Sequence, residues 1–280
     1  MVRQLSDIGP LRGLIAYPPL GIISDVDGTL APIVPRAEDA AITPRCRTLL
    51  RDLMERGVLV ALATGRPLAV ARAMLGLEGA AFAANHGLSL WVGGQEETPP
   101  AVAEYVSRAR ESVRELAGLD VPGVSLEEKG PVLAVHYRRA ADERAAREAI
   151  LAAIAGSPAA RAFLVHEGRK VIELRPPLDI NKGTAVAALV PRLGARALIC
   201  LGDDVTDIDM FREVGRLREG GLPGVSIAVR NEEAAPEVVG SADFWLDGGV
   251  SGVEWLLQAL LTALPEIPPE GREAGAPARK

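Results

Sequence analysis

The sequence predicts an α/β fold: a doubly wound, mostly parallel, Rossmann-like core sheet with an inserted α+β unit of helix–hairpin–helix–hairpin order. Three observations carry this expectation. Apolar runs that read as buried strands alternate with helical patterns over residues 20–97 and again over 183–262, as in a parallel sheet covered on both faces. The stretch between them, 101–176, changes rhythm and runs helix, hairpin, helix, hairpin. Polar residues able to do chemistry stand directly after several apolar runs, at the strand ends where open α/β sheets bind ligands.

The elements follow in order. Core strands are expected at 20–24, 58–63 and 81–84, then at 197–201, 225–229 and 244–246. In the insertion, 102–116 is helical in pattern. Apolar runs at 124–126 and 132–137 flank Glu127-Glu128-Lys129-Gly130, a hairpin signal. A second helix is expected over 141–154, and runs at 163–165 and 171–174 flank Glu167-Gly168-Arg169. That order makes a four-stranded sheet with both helices on one face. The expected division is therefore 1–100 with 178–264 as the core, 101–177 as the insertion, and 265–280 as a disordered tail of Pro, Gly, Glu, Ala and Arg with little to bury.

Composition narrows the function. The 280 residues suffice for one large or two modest domains, and 48% hydrophobic content supports an ordinary packed core. A net charge of −6 without any basic run argues against a nucleic-acid surface. No apolar stretch approaches the ~20 uncharged residues of a membrane span. Residues 1–13 lack a basic start followed by an apolar core, so no signal peptide is expected and the chain reads as a cytoplasmic monomer. The only cysteines, Cys46 and Cys200, read as reduced thiols.

Four segments then offer a coherent set. Asp25-Val26-Asp27-Gly28-Thr29 follows the first strand, with two carboxylates on one face if the strand continues. Thr64-Gly65-Arg66-Pro67 follows the second. Asn181-Lys182-Gly183 precedes an Ala-rich helix, and Gly202-Asp203-Asp204-Val205-Thr206-Asp207 follows a later strand. Each has a plainer reading alone: Asp-Gly as a turn, Thr64 as a helix cap, Lys182 as a solvated lysine, Asp204 and Asp207 as carboxylates at a helix start. Together, in this order, they resemble the haloacid dehalogenase superfamily of phosphotransferases, from about Leu20 to about Leu260. The resemblance implies an aspartyl-phosphate mechanism with Mg²⁺ and a mobile cap inserted between the second and third motifs. Asp25 would be the nucleophile and Asp27 the general acid and base. Thr64 and Lys182 would hold the phosphate. Mg²⁺ would take Asp25, Asp203 and the backbone carbonyl of Asp27, with Asp204 and Asp207 behind them orienting Lys182 and metal waters.

The insertion narrows the resemblance. Glu127-x-Lys129 with His136-Tyr137-Arg138, Gly168-x-Lys170-x-x-Glu173, and Asn85-His86-Gly87 on the core side look like the trehalose-6-phosphate phosphatases. By that resemblance Glu127, Lys129, Lys170 and Glu173, with Asn85, His86 and Gly87, are candidates for binding sugar hydroxyls, and the partner is a sugar phosphate. The sequence departs from the family at Val26, where Tyr or Phe is common, at Thr64, where Ser is, and at Ile208, where Glu is. Thr keeps the hydroxyl, and Val26 reads as packing. His136 is equally a packed histidine or a ligand, His166 takes no role, and Arg175 reads as a brace before Pro176. Three alternatives stay open: phosphatases for glucosylglycerol phosphate, mannosyl-phosphoglycerate or sucrose phosphate; a phosphohexomutase; and a non-catalytic sensor.

Overall fold

The structure is a computed structural model that describes residues 2–168, 170–232 and 234–265. Its strands are β1 (Arg3–Gln4), β2 (Leu20–Ser24), β3 (Leu59–Ala63), β4 (Ala81–Ala84), β5 (Ser89–Val92), β6 (Gln95–Glu97), β7 (Ser125–Glu128), β8 (Leu133–His136), β9 (Leu164–Gly168), β10 (Val171–Arg175), β11 (Ala197–Gly202), β12 (Gly224–Val229) and β13 (Phe244–Leu246). They form a nine-stranded sheet, β1-β13-β12-β11-β2-β3-β4-β5-β6, and a four-stranded sheet, β7-β8-β10-β9.

In the larger sheet every neighbouring pair from β1 through β4 is parallel, while β5 and β6 join antiparallel at one edge. The expected core strands all form. The strands β1, β5 and β6 were not expected: β6 is polar and exposed throughout, so it carries no apolar period. Strand β2 is central and buried at every position. Ile22 packs with Leu49, Leu53, Val253 and Leu257 on one side, and Ile23 with Val186, Leu189 and Phe211 on the other. Burial on both faces explains the lack of alternation, and each such side chain contributes about 1.5–3 kcal/mol. Val26 and Ile208, two of the three departures from the family pattern, are both buried in these apolar layers.

The smaller sheet is antiparallel throughout. Its helices, Pro100–Leu116 and Glu143–Gly156, lay Ala109, Leu116, Ala146, Ile150 and Ile154 against Leu133, Val135, Ile172 and Leu174. The opposite face therefore carries the alternate residues. Cross-strand register sets Glu127, Ala134, Glu173 and His166 in one row on that face.

Two details differ from expectation. Glu127 and Glu128 belong to β7 rather than to the turn, so they point to opposite faces. Glu128 meets Arg110 of the helical layer at 3.1 Å, which leaves Glu127 to the other face. The second hairpin turn is shorter than expected, because β9 continues to Gly168. Arg169 and, of the expected tail 265–280, residues 266–280 lie outside the described residues. Both cysteines are buried and unpaired. Among the described residues no helix is long and apolar enough to cross a membrane.

Candidate active site

The site lies at the carboxyl ends of β2, β3, β4, β11 and β12. Asp25 directly follows β2, and its backbone N–H still donates to Leu201 of β11 at 2.9 Å, so the sheet fixes its position. The chain then turns through Gly28 at φ 85°, and a β-carbon there would lie 1.9 Å from an Asp203 carboxylate oxygen. Only glycine admits this approach. Lys182 opens the helix Lys182–Leu193, whose start is fixed by reciprocal bonds. The Asn181 side chain accepts from Thr184 N–H at 2.9 Å, and Thr184 Oγ1 accepts from Asn181 N–H at 3.0 Å.

These placements join four of the predicted groups. Lys182 Nζ lies 2.8 Å from Asp25 Oδ1 and 2.6 Å from Asp207 Oδ1. Asp207 Oδ2 accepts from the backbone N–H groups of Asp203 and Asp204, both at 2.9 Å. Asp203 accepts from Thr29 Oγ1 and from Asn231 Nδ2, each at 2.8 Å. Asp207 is thus saturated and positions its neighbours. The Asp204 carboxylate turns instead to Thr206, whose Oγ1 lies 3.4 Å from it. Thr64, buried behind Asp25, accepts from Arg66 N–H at 3.1 Å, leaving its own proton for an acceptor in the cleft.

One ammonium faces three buried carboxylates. Candidate ligand atoms of Asp25, Asp203 and Asp207 lie within 4.8 Å of one another. Burial, with repulsion from the neighbouring acids, raises the Asp25 pKa well above the ordinary carboxylate range and pushes Asp203 up to about 7. Burial disfavours charge on Lys182 too, but Asp207 and Asp25 outweigh it and hold the ammonium firmly protonated. Such an excess of buried negative charge calls for a cation. The all-oxygen donor set suits Mg²⁺: Asp25 and Asp203, which line the cleft, would hold it, while Asp207 is fully buried behind them on Lys182 and two backbone N–H groups.

Three residues were missed as functional from the sequence. Arg66 grips Asp27 with both ends of its fork, Nε to Oδ2 and Nη2 to Oδ1, each at 2.7 Å, and its remaining nitrogen donates to Ala37 O at 3.0 Å. Asn231 lies two residues beyond β12, and Thr29 ends the Asp-x-Asp-Gly-Thr segment; both hold Asp203. Position after a strand was the available signal for Arg66 and Asn231.

A cleft of about 830 Å³ connects this floor to the exposed face of the small sheet. Asp25, Asp27, Thr64, Lys182, Asp203 and Asp204 line one side, and Glu127, Lys129, His136 and Glu173 the other, with His86 between. Lys129 Nζ lies 3.2 Å from Glu173 Oε1 and 3.7 Å from Glu127 Oε2, and His136 Nε2 meets Glu127 Oε2 at 2.7 Å. His136 therefore faces the cleft rather than the core. Burial opposes charge on Glu173, but Lys129 and Arg175 prevail and bring it down to about 2.

Three predicted binding residues lie outside this cleft. Lys170 sits in the hairpin turn at φ 63° and pairs with Glu143 of the helical layer at 2.6 Å. Gly87, at φ 101°, packs against the Lys182 helix, where a β-carbon would lie 3.0 Å from Ala185 Cβ and from Asn181 O. Asn85 is buried beside a separate small cavity of about 70 Å³, its Oδ1 without a hydrogen-bond partner among the described residues.

Comparisons with known proteins agree with this geometry. A family model described as trehalose-phosphatase matches residues 23–248. The chain is 34% identical over 242 residues to a trehalose-phosphate phosphatase of Mycobacterium leprae, covering 82% of this chain and 54% of that protein. It is 35% identical over 238 residues to that of Mycobacterium tuberculosis, covering 82% and 58%. The chain thus spans little more than half the length of these curated relatives. Among solved structures, the Candida albicans trehalose-6-phosphate phosphatase C-terminal domain shares the fold at a TM-score of 0.70 and 22% identity, over 95% of this chain and 99% of that one. A haloacid dehalogenase-like hydrolase from Bacteroides thetaiotaomicron shares it at a TM-score of 0.59 and 17% identity, over 86% and 98%. With its motif residues assembled at the strand ends and its match running from Ile23 through Gly248, this chain belongs to the trehalose-phosphatase family.

Proposed function

We propose that the chain is a Mg²⁺-dependent phosphatase that hydrolyses trehalose 6-phosphate to trehalose and phosphate through a phosphorylated Asp25. The observation that carries this reading is one cleft with two chemistries. Asp25 and Lys182 form its buried floor, 2.8 Å apart, and Glu127, Lys129 and Glu173 form the facing wall.

In this reading an Asp25 oxygen attacks phosphorus and the sugar C6 oxygen leaves. Lys182 holds Asp25 in place and supplies fixed positive charge beside the transferring group. Thr64 donates its hydroxyl to a phosphate oxygen. Asp27 gives a proton to the departing oxygen, then takes one from the water that cleaves the acyl phosphate. Both of its oxygens face Arg66 here, so one must leave that fork to reach the substrate. Asp25 and Asp203 would hold Mg²⁺, which when bound would supply positive charge between the anionic nucleophile and the anionic phosphate. The small sheet acts as a lid that excludes water and reads the leaving group. A disaccharide presents many hydroxyls, from which the Glu127 and Glu173 carboxylates accept and to which the Lys129 ammonium donates charge-assisted hydrogen bonds.

The test is phosphate release across a panel of sugar phosphates, with Mg²⁺ and with EDTA. The expected result is preferred release from trehalose 6-phosphate, lost in EDTA and restored by Mg²⁺. Preference for sucrose phosphate, mannosyl-phosphoglycerate or glucosylglycerol phosphate overturns the substrate. A requirement for a bisphosphorylated sugar marks a mutase, and full activity after metal removal overturns the metal.

A further inference from the structure

The segment Glu173-Leu174-Arg175-Pro176 closes the small sheet and leads back to the core. Arg175 makes more than a local pair there. Its Nε donates to Glu173 Oε2 at 2.9 Å, and its Nη2 donates to the same oxygen. Nη2 also lies 2.9 Å from His86 Nε2, a residue 89 positions away in the turn Asn85–Gly87 that follows β4 of the larger sheet. The other Glu173 oxygen faces Lys129 Nζ at 3.2 Å. A continuous polar chain thus runs His86, Arg175, Glu173, Lys129, from the core across the facing wall of the cleft.

The chemistry of the guanidinium fixes its direction. Arginine has donors only, so His86 Nε2 must accept and the ring is neutral with its proton on Nδ1. Burial, with Arg175 and Lys182 nearby, agrees, bringing the His86 pKa down to about 3. Nδ1 is itself buried without a partner among the described residues. Simple bracing of the linker does not account for Arg175, because an apolar cluster of Leu88, Val102, Val132, Leu178 and Ile180 already packs that junction.

We propose that Arg175 is a positioning residue for sugar recognition: it holds the Glu173 carboxylate against His86, and so sets the sugar-binding wall at a fixed distance from the phosphoryl floor. This rests on the sugar-phosphate reading given above. Lysine cannot replace it, since an ammonium on a flexible stem cannot span both partners with a planar fork.

The test compares kcat/KM for trehalose 6-phosphate and for p-nitrophenyl phosphate in wild type, Arg175→Met and Arg175→Lys, with Mg²⁺ present. Histidine side-chain ¹⁵N spectra report the tautomers, and with three histidines in the chain His86 is assigned from His86→Gln. The ratio of the two kcat/KM values should fall about ten- to a hundredfold in Arg175→Met, and at least about tenfold in Arg175→Lys. His86 should carry its proton on Nδ1 in the wild type and lose that fixed tautomer in Arg175→Met. Parallel losses on both substrates make Arg175 a structural brace and overturn the proposal, as does an unchanged ratio or a wild-type His86 protonated on Nε2. If the wild type hydrolyses a different sugar phosphate instead, the substrate reading fails, and the same ratio measured on that sugar decides the role of Arg175.

Discussion

At the residue scale the floor of the cleft is a charge problem. Asp25, Asp203 and Asp207 are buried around one ammonium; donors engage both oxygens of Asp203 and of Asp207, and Lys182 bridges Asp25 and Asp207. Asp25→Asn keeps the shape and removes one of three repelling charges. It should lower phosphate release by at least about a thousandfold, while thermal unfolding shows a midpoint at or above that of the wild type. A tenth of wild-type activity in a clean preparation would remove Asp25 from its role. Most of this floor was legible in the sequence, because strand ends in a doubly wound sheet converge and Asp25, Thr64, Lys182 and Asp203 each mark one segment. Arg66 was in plain view within Thr64-Gly65-Arg66-Pro67, but its partner depends on a turn at Gly28 that brings Asp27 back over β3, and no spacing rule predicts that. Lys170 illustrates the converse. The turn that carries it rotates its side chain to the helical layer, where Glu143 takes it.

At the element scale, the helix that carries Lys182 is set by its own cap and by Gly87. The turn Asn85–Gly87 approaches that helix with a left-handed glycine, and a methyl group there meets Ala185 and the Asn181 carbonyl. Gly87→Ala should therefore destabilise by about 1–3 kcal/mol, read as a lowered urea midpoint at constant slope. It should also reduce turnover on every substrate alike, since in the proposed mechanism Lys182 serves the phosphoryl group. A midpoint unchanged from wild type would show that the close packing at Gly87 is dispensable. Gly87 was expected to contact sugar, and its position relative to the helix could be read only from the packed structure. The fully apolar strands were legible because burial on both faces leaves uninterrupted runs. The polar edge strand β6 and the reach of β7 through Glu128 were not, because strand pairing there overrides a sequence that reads as a turn.

At the scale of the whole molecule, two sheets with separate cores meet across a cleft with a buried acidic cluster on one side and a polar, charged wall on the other; the proposed function puts a cation on the first and sugar hydroxyls on the second. The cation has a signature independent of turnover. With Asp203 raised to about 7 from an ordinary value near 3.8, the folded metal-free protein holds a proton there that the unfolded chain has released. That contribution to stability is full below about 3.8 and is lost as pH rises through 7. Mg²⁺ competes with the same proton, so saturating Mg²⁺ should raise the unfolding temperature more at pH 8 than at pH 5. Equal shifts at both pH values, or none, would contradict the metal assignment.

The central claim is that one wall of the cleft reads sugar while the floor performs phosphoryl transfer. The most direct measurement is the ratio of kcat/KM for trehalose 6-phosphate to that for p-nitrophenyl phosphate in Lys129→Ala and Glu173→Ala. Loss of a charge-assisted hydrogen bond is worth about 1.5–3 kcal/mol, so the ratio should fall roughly ten- to a hundredfold in each variant. Misfolding would depress both substrates together and leave the ratio in place. A ratio equal to that of the wild type in both variants would contradict the account, because the facing wall would then carry no recognition of the sugar.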